Sequence, residues 1–138
     1  MREIREVIFR GKRTDNGKWV KGYLYITHIG SHEIGSYDAE INIERLTFDV
    51  IPETVGQYTG LTDKNGVRIF EGDICRFKRF NDIHVGEIVF NVTTASFVMR
   101  YQSIVGAYGE KATQKMLLSV CDDIEVIGNI HDDPELLR

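Results

Sequence analysis

A phrase built on glycine turns occurs twice in this 138-residue chain and restricts the folds that the chain can adopt. The first copy is FRGKRTDNGKWVKG at residues 9–22, and the second is YTGLTDKNGVRIFEG at residues 58–72. In both copies an aromatic-x-Gly triplet precedes Asn-Gly at the same spacing. Asn-Gly between strand-like residues favours a type I′ hairpin turn, whose two central residues have positive φ. The repeat therefore predicts two related β-hairpins, in which the backbone requires glycine at Gly60 and Gly66.

Strand signals dominate the rest of the chain, since short runs rich in β-branched and aromatic residues alternate with turn residues. The predicted strands are EVIFR (6–10), KWVKGYLYIT (18–27), AEINIE (39–44), RLTFDVI (45–51), VRIF (67–70), DICRFKRF (73–80), HVGEIVFN (84–91), SFVMRYQ (96–102), MLLSV (116–120) and IEVIGNI (124–130). Residues 28–37 and 103–115 are predicted loops, although EKATQKMLL could equally form one helix. Pro52 and Pro134 each open a short helical turn, the second with Asp133 as its cap.

Short strands at regular spacing predict a mainly β fold, namely a small β-barrel or roll. Residues 72–130 have the size and strand number of an SH3-like barrel. We expect an N-terminal β-hairpin lobe at residues 1–55 and the barrel lobe at residues 56–138, with a shared core that makes them one compact unit. A length of 138 residues is typical of one domain or of two very small lobes that share a core.

Charge and composition indicate the compartment and the class of partner. The net charge of −4 argues against a dedicated nucleic-acid binder. Residues 1–21 carry seven basic against three acidic side chains, whereas residues 122–138 carry six acidic against one basic. Such ends can attract each other within a protomer or between protomers. Because the sequence has neither an apolar run of membrane-spanning length nor a signal-peptide core, we expect a cytoplasmic protein with no membrane partner, whose cysteines Cys75 and Cys121 are free and buried.

A basic patch is the candidate for nucleic-acid binding. Bases interleaved with aromatic residues on a β surface are typical of single-strand binding proteins, in which rings stack on bases. Strand alternation opposes this interpretation, because it turns the aromatic side chains toward the core and the charges toward water. The residues of the predicted patch are Arg10, Lys12, Arg13, Lys18, Lys21, Arg76, Lys78 and Arg79.

Motifs for metals and catalysis are weak. His28 and His32 stand in a glycine-broken stretch that favours a loop over a zinc-binding helix. The stretch from Asp63 to Gly66 lacks the later ligands of a calcium loop, so it is interpreted as a turn. Nucleotide-binding and hydrolase signatures do not occur. Asp73, beside Gly72, is predicted to accept backbone hydrogen bonds at a strand entrance. We therefore expect no metal, no cofactor and no catalytic residue.

Four blocks of the sequence, in this order, resemble the YopX family of phage and prophage proteins. They are FRGKRTDNGKWVKGYL (9–24), IGSYDAE (34–40), VGQYTGLTDKNGVRIFEGDICRF (55–77) and IEVIGNIHDDPELL (124–137). The positions that we assign to a structural family motif are Gly56, Tyr58, Gly60, Asp63, Asn65, Gly66, Glu71, Gly72, Asp73, Gly128, Asn129 and Pro134. The resemblance implies a β-rich fold with an SH3-type C-terminal part, a bacterial or phage origin and a homo-oligomer, with a trimer suggested. It implies no activity, since the family has no assigned function.

Two functional hypotheses follow. The favoured one is a non-enzymatic binding or assembly module that acts through a protein partner or through self-association, because small barrels expose sheet edges and grooves. The alternative is a nucleic-acid-binding accessory protein that uses the basic patch. A small enzyme without a recognisable motif is a third hypothesis.

Overall fold

The computed structural model describes residues 4–36 and 47–137, so the predicted strand at residues 39–44 lies outside the described residues. About 60% of the described residues are in strands, which form two antiparallel sheets, and this confirms the mainly β prediction. The strand order of neither sheet closes on itself, so the predicted SH3-like barrel is not confirmed. The chain forms two compact units, residues 1–60 and residues 61–138.

Unit 1 is built around one antiparallel sheet. Its strands are β1 (Phe9–Lys12), β2 (Trp19–Ile26), β3 (His32–Ser36), β4 (Thr47–Asp49) and β5 (Gly56–Thr62), with a 3₁₀ helix at Pro52–Thr54 as predicted. These five strands have the order β4-β3-β2-β1-β5 within a six-stranded sheet. Ile8, Ile34 and Val50 form part of its buried interior. A Cβ on Gly11 would lie 3.1 Å from Val50 Cβ, so glycine permits the close packing of β1 on these side chains.

Unit 2 begins within the last residues of β5 and contains a second sheet. Its elements are β6 (Arg68–Phe70), β7 (Asp73–Arg79), β8 (Asp82–Asn91), β9 (Ser96–Val105), β10 (Glu110–Leu117), a 3₁₀ helix at Leu118–Val120, β11 (Asp122–Asn129) and a 3₁₀ helix at Pro134–Leu137. The five-stranded sheet has the order β10-β9-β8-β7-β11. Its hydrophobic core includes Ile69, Phe77, Ile88, Met99 and Tyr101. Phe77 is buried and its neighbour Lys78 is exposed, as strand alternation predicted.

The two glycine phrases both form hairpins, but neither has the predicted type I′ turn. Gly17 and Gly66 have φ of 70° and 80°, whereas the asparagine before each has negative φ. The first hairpin closes with the Arg13 N–H donated to Lys18 O, and the second with the Asp63 N–H donated to Val67 O. The second loop is therefore one residue shorter. The prediction of positive φ at Gly60 and Gly66 is confirmed, at 89° and 80°.

Two predicted loops contain strands. Residues 32–36 form β3, in which Gly35 packs closely against Tyr25, since a Cβ there would lie 3.2 Å from the Tyr25 ring. Residues 103–115 contribute to β9 and β10, which pair over eight consecutive residue pairs. Gly106 and Gly109, both with φ of 76°, provide the turn between them. The helix alternative for this region is wrong, because ladder pairing over the full length of β10 overrides its local helix preference.

Candidate functional site

The hairpin between β7 and β8 turns through Phe80 and Asn81, whose φ angles are 50° and 69°. Arg79 and Asp82 pair on either side of these two residues, so this is the hairpin with positive φ at both central positions, as in a type I′ turn. Asn tolerates this region of φ, but a bulky aromatic residue rarely occupies it. The Phe80 ring is nevertheless 80% exposed. An exposed aromatic residue held in a strained backbone region marks a functional candidate.

The strands next to this turn separate. The ladder between β8 and β9 ends at the pair Gly86–Tyr101. Strand β8 begins earlier, at Asp82, and β9 continues to Val105. Residues 82–85 remain paired with β7, and residues 102–105 remain paired with β10. A wedge therefore opens in the sheet, with one strand edge on each side.

A cleft of about 590 Å³ occupies this wedge, and we call it the β8–β9 cleft. Its lining residues are Arg79, Phe80, Asp82, Ile83, His84, Tyr101, Gln102, Ser103 and Ile104. Ile83 and Ile104 are 63% and 75% exposed, so apolar side chains face solvent here. Clustered exposed apolar residues mark binding surfaces more often than isolated ones do.

The two faces of the cleft differ in chemistry. Ile83 lies opposite Lys78 in the β7–β8 ladder, and Ile104 lies opposite Lys111 in the β9–β10 ladder. Because cross-strand partners share a face, each isoleucine has a lysine beside it. Alternation places the next residue of β8, His84, on the opposite face.

The His84 face is aromatic. The His84 ring lies 4.9 Å from the Tyr101 ring and 5.5 Å from the Phe77 ring, between centroids. Phe77 and Tyr101 meet edge to face at 5.0 Å. The Arg79 guanidinium lies 4.0 Å from the Phe80 ring centroid, and its Nη1 donates to Val120 O. These contacts fix the aromatic wall of the cleft in place.

The residues of the predicted basic patch fall in both units. Arg10, Lys12, Arg13, Lys18 and Lys21 belong to unit 1, and Arg76, Lys78 and Arg79 belong to unit 2. In unit 1, Arg10 is buried, with its guanidinium 4.8 Å from the Trp19 ring centroid, and Lys12 Nζ lies 5.5 Å from the same centroid. Trp19 is thus covered by two cations within its own sheet.

Acidic side chains accompany several of the patch cations. Arg13 donates to both carboxylate oxygens of Asp15, at 2.9 and 2.6 Å. In unit 2, Arg76 Nη1 lies 3.3 Å from Glu125 Oε2, and Lys78 Nζ lies 3.5 Å from Asp123 Oδ2. Local pairing of this kind reduces the positive potential that a phosphate backbone would meet.

Asp63, a motif residue, connects the turn at residues 63–67 to β11. Its Oδ1 accepts the N–H groups of Asn65 and Val67 at 2.8 and 2.9 Å, and its Oδ2 accepts the N–H of Val126 at 2.9 Å. Burial alone would raise the pKa of Asp63, but these backbone donors outweigh it and hold the pKa below its ordinary value. The carboxylate is therefore structural, which agrees with its interpretation as part of a turn.

The motif residues before β7 fix the start of that strand. Gly72 has φ of 92°, donates its N–H to Ile88 O and accepts from Ile130 N. The buried Asp73 carboxylate accepts the Phe70 N–H at 2.7 Å, which is the backbone role predicted for it. Glu71 is half-buried in the same turn.

The motif residues at the end of β11 build a compact turn. A Cβ on Gly128 would lie 2.6 Å from Asp133 Oδ2, so glycine is required there. Asn129 Oδ1 accepts the N–H groups of His131 and Asp132, both at 3.0 Å. Pro134 opens the following 3₁₀ helix as predicted, and the carboxylate of Asp133 accepts the Asn129 N–H at 3.2 Å.

The remaining motif residues lie in unit 1. Gly56 pairs with Arg10 between β5 and β1, and the buried Tyr58 donates its N–H to Ile8 O at 2.8 Å. Together with the turn residues, these positions contribute to backbone pairing and turn geometry.

The two cysteine thiols are buried, and the ring of His32 lies beside a backbone carbonyl oxygen. Cys75 and Cys121 are free and buried, as predicted, and burial raises the pKa of the Cys121 thiol to about 11. His32 Nδ1 is 3.1 Å from Gly30 O. No group of three or more His, Cys, Asp or Glu side chains suited to a metal ion occurs in residues 4–36 and 47–137. Across the same residues, no helix has the length and apolar character needed to cross a membrane.

Sequence reasoning missed most of the β8–β9 cleft. It placed Phe80 at the end of the predicted strand at residues 73–80 rather than in the turn, and it assigned Ile104 to a loop. Each isoleucine has a lysine as its cross-strand partner, Lys78 for Ile83 and Lys111 for Ile104. This pairing becomes visible only when the strands are placed in their correct register. The end of pairing between β8 and β9 leaves no mark in composition or periodicity.

A comparison with protein-family models confirms the resemblance of the four sequence blocks. A family model described as YopX protein matches residues 8–138. The crystal structure of protein EF1440 from Enterococcus faecalis matches with 27% sequence identity and a TM-score of 0.46, over 98% of this chain and 100% of that one. Among curated proteins, none matches this chain significantly.

Proposed function

We propose, from the premise that this chain belongs to the YopX protein family, that it is a non-enzymatic module that binds a polypeptide partner through the β8–β9 cleft. The observation that carries the proposal is the exposure of Phe80, Ile83 and Ile104 around one opening in a sheet. A soluble chain gains no stability from displaying such residues together, and burying them against a partner is favourable by roughly 25 cal/mol per Å².

The backbone at Phe80 supports the same proposal. A positive φ costs an L-residue about 1–2 kcal/mol, and asparagine or glycine would avoid much of that cost. The chain instead holds a large aromatic side chain there, 80% exposed. Retention of a costly residue at an exposed position is expected where the side chain has a binding role.

The wider setting of the proposal comes from the sequence. The resemblance of the four blocks supports a phage or prophage origin, an SH3-like fold of the C-terminal part and a homo-oligomer, with a trimer suggested. The lack of a membrane-spanning run and of a signal-peptide core in the sequence supports action in the cytoplasm of the bacterial host. Self-association is thus one form that the polypeptide partner could take. The nucleic-acid alternative depends on the basic patch, whose Arg13, Arg76 and Lys78 have acidic neighbours.

Retention of polypeptides from a nuclease-treated bacterial lysate tests the proposal. The immobilised full chain is compared with the double variant Ile83→Thr/Ile104→Thr, in which threonine keeps the β-branched shape that strands favour. The matched control is Val92→Thr, since Val92 is 82% exposed in the turn between β8 and β9. Sizing with light scattering provides the same comparison for self-association.

We expect polypeptide binding or self-association that the double variant loses and the Val92→Thr control keeps. Equal retention by all three proteins would contradict the proposal, as would the absence of both retention and self-association. Binding of DNA or RNA that falls steeply with salt and is lost in Arg13→Glu/Lys78→Glu would favour the nucleic-acid alternative instead.

A further inference from the structure

The geometry points to strand insertion as the binding mode: we propose that the β8–β9 cleft receives an extended, acidic-flanked segment of another polypeptide as an added strand. This inference rests on the proposed function and specifies its partner. Residues 82–85 and 102–105 each present a strand edge to the cleft, because their ladders run to β7 and β10 on the far sides. Because β8 and β9 are antiparallel to each other, the added strand would be antiparallel to one edge and parallel to the other, and backbone pairing to both would continue the sheet across the gap.

The length of the opening limits the segment. Four residues on each side are in strands but beyond the last β8–β9 pair, Gly86–Tyr101. At ~3.3 Å per residue, the unpaired edges are about 13 Å long, which limits the added strand to about four residues. The Gly86–Tyr101 pair closes the inner end, so the segment enters from the Phe80 side.

Alternation determines which side chains the segment needs. Residues pointing to one face would meet Ile83 and Ile104, and the residues between them would meet His84 and Tyr101. Both faces therefore favour aliphatic or β-branched side chains. Phe80, at the entrance, can cover the first of them.

Charge favours acidic residues at the ends of the segment. Lys78 is the cross-strand partner of Ile83, Lys111 is that of Ile104, and Arg79 lines the cleft. Asp82 is the acidic side chain in the lining. Lys78 is already paired with Asp123, its Nζ lying 3.5 Å from Oδ2, so Lys111 and Arg79 provide the larger part of the attraction.

A capped hexapeptide tests the mode: glutamate, valine, isoleucine, valine, threonine and glutamate, titrated into the ¹⁵N-labelled full chain and followed by NMR. One control peptide carries N-methyl groups on both valines, which remove two backbone donors but keep the side chains. A second control replaces both glutamates with lysine. The Ile83→Thr/Ile104→Thr and Val92→Thr proteins are titrated in parallel.

We expect concentration-dependent shifts confined to residues 79–86 and 101–105, at least tenfold weaker binding of the N-methylated peptide, and several-fold weaker binding of the lysine peptide at low salt. Equal binding of the N-methylated peptide, shifts elsewhere on unit 2, or no shifts would overturn strand insertion. The lysate experiment separates the two proposals, because retention of a folded partner that depends on Ile83 and Ile104 would leave the proposed function standing while strand insertion fails.

Discussion

Val126 donates its backbone N–H to Asp63 Oδ2 at 2.9 Å, and this bond ties the turn at residues 63–67 to the middle of β11. Two more backbone N–H groups, from Asn65 and Val67, converge on the other carboxylate oxygen. The Lys64 N–H donates to Ile124 O at 2.9 Å, which adds a backbone bond between the same turn and β11. One side chain thus organises a turn and anchors it to a distant strand.

Replacing Asp63 with alanine should lower the free energy of unfolding by about 2–4 kcal/mol, because three backbone donors lose a charged acceptor in a buried site. Chemical denaturation measures this loss. Glu135→Ala, which removes an exposed carboxylate from the same unit, should change stability by less than about 0.5 kcal/mol. Comparable values for the two variants would contradict the structural role of Asp63.

The same carboxylate should make stability depend on pH in the acid range. The pKa of Asp63 is lower in the folded chain than its ordinary value of 3.8, so its contribution is fully present well above pH 3.8 and is lost as pH falls through the folded pKa. We expect the decline in stability from pH 5 downward to be shallower in Asp63→Asn than in the wild type. Denaturant midpoints measured across this range test the difference, and parallel curves would contradict it.

Gly66→Ala should destabilise the chain by about 1–2 kcal/mol through the backbone alone. The φ of Gly66 is 80° and a Cβ there meets nothing within 4 Å, so crowding contributes nothing. Gly66→Asn should cost less, because asparagine tolerates this conformation. Thermal melts of the two variants give the test, and an equal loss in both would show that the conformation of the turn is not the cause.

Gly86→Ala should destabilise unit 2 by about 1–3 kcal/mol for a different reason, namely overpacking. A Cβ on Gly86 would lie 2.7 Å from the backbone oxygen of Arg100 and 3.0 Å from Met99 Sδ. A backbone atom within a ladder cannot move aside without loss of pairing. Gly35→Ala, whose nearest contact is the Tyr25 ring at 3.2 Å, should cost less. A neutral Gly86→Ala would mean that β8 and β9 are less closely packed than described.

Phe80→Asn should change stability and binding in opposite directions. Asparagine relieves the strain of positive φ and should raise the free energy of unfolding by about 1 kcal/mol, offset in part by loss of the Arg79–Phe80 contact. Removal of the ring from the cleft entrance should at the same time weaken partner binding. Denaturation and peptide titration on the same protein measure both effects. A variant that binds as well as the wild type would remove Phe80 from the site.

The sequence allowed much of the fold to be predicted, because strand periodicity and glycine turns are local signals. The glycines at 60 and 66, the Pro52 and Pro134 turns and the inward-facing Phe77 all follow from residue chemistry within a few positions. Strand β10 did not, because its stability comes from the ladder with β9 rather than from its own residues. The lengths of the two hairpin loops, which differ by one residue, were not predicted either.

The candidate site was the least predictable part. It depends on where the β8–β9 ladder stops, and that point is set by the relative lengths and directions of four strands. The strained Phe80 was equally hidden, because an Arg-Phe-Asn-Asp stretch indicates a turn without indicating which residues occupy its centre. Local patterns therefore define the scaffold, and tertiary pairing defines the opening in it.

Backbone amide hydrogen exchange of the full chain, with and without the acidic hexapeptide, tests the existence of an open strand edge in the β8–β9 cleft most directly. In the free chain, the amides of residues 102–105 that point away from β10 should exchange much faster than those of residues 97–101, and the peptide should slow them. Slow exchange of these same amides in the free chain would show that the β8–β9 ladder is closed, and exchange that the peptide leaves unchanged would show that no strand is added; either result would contradict the account.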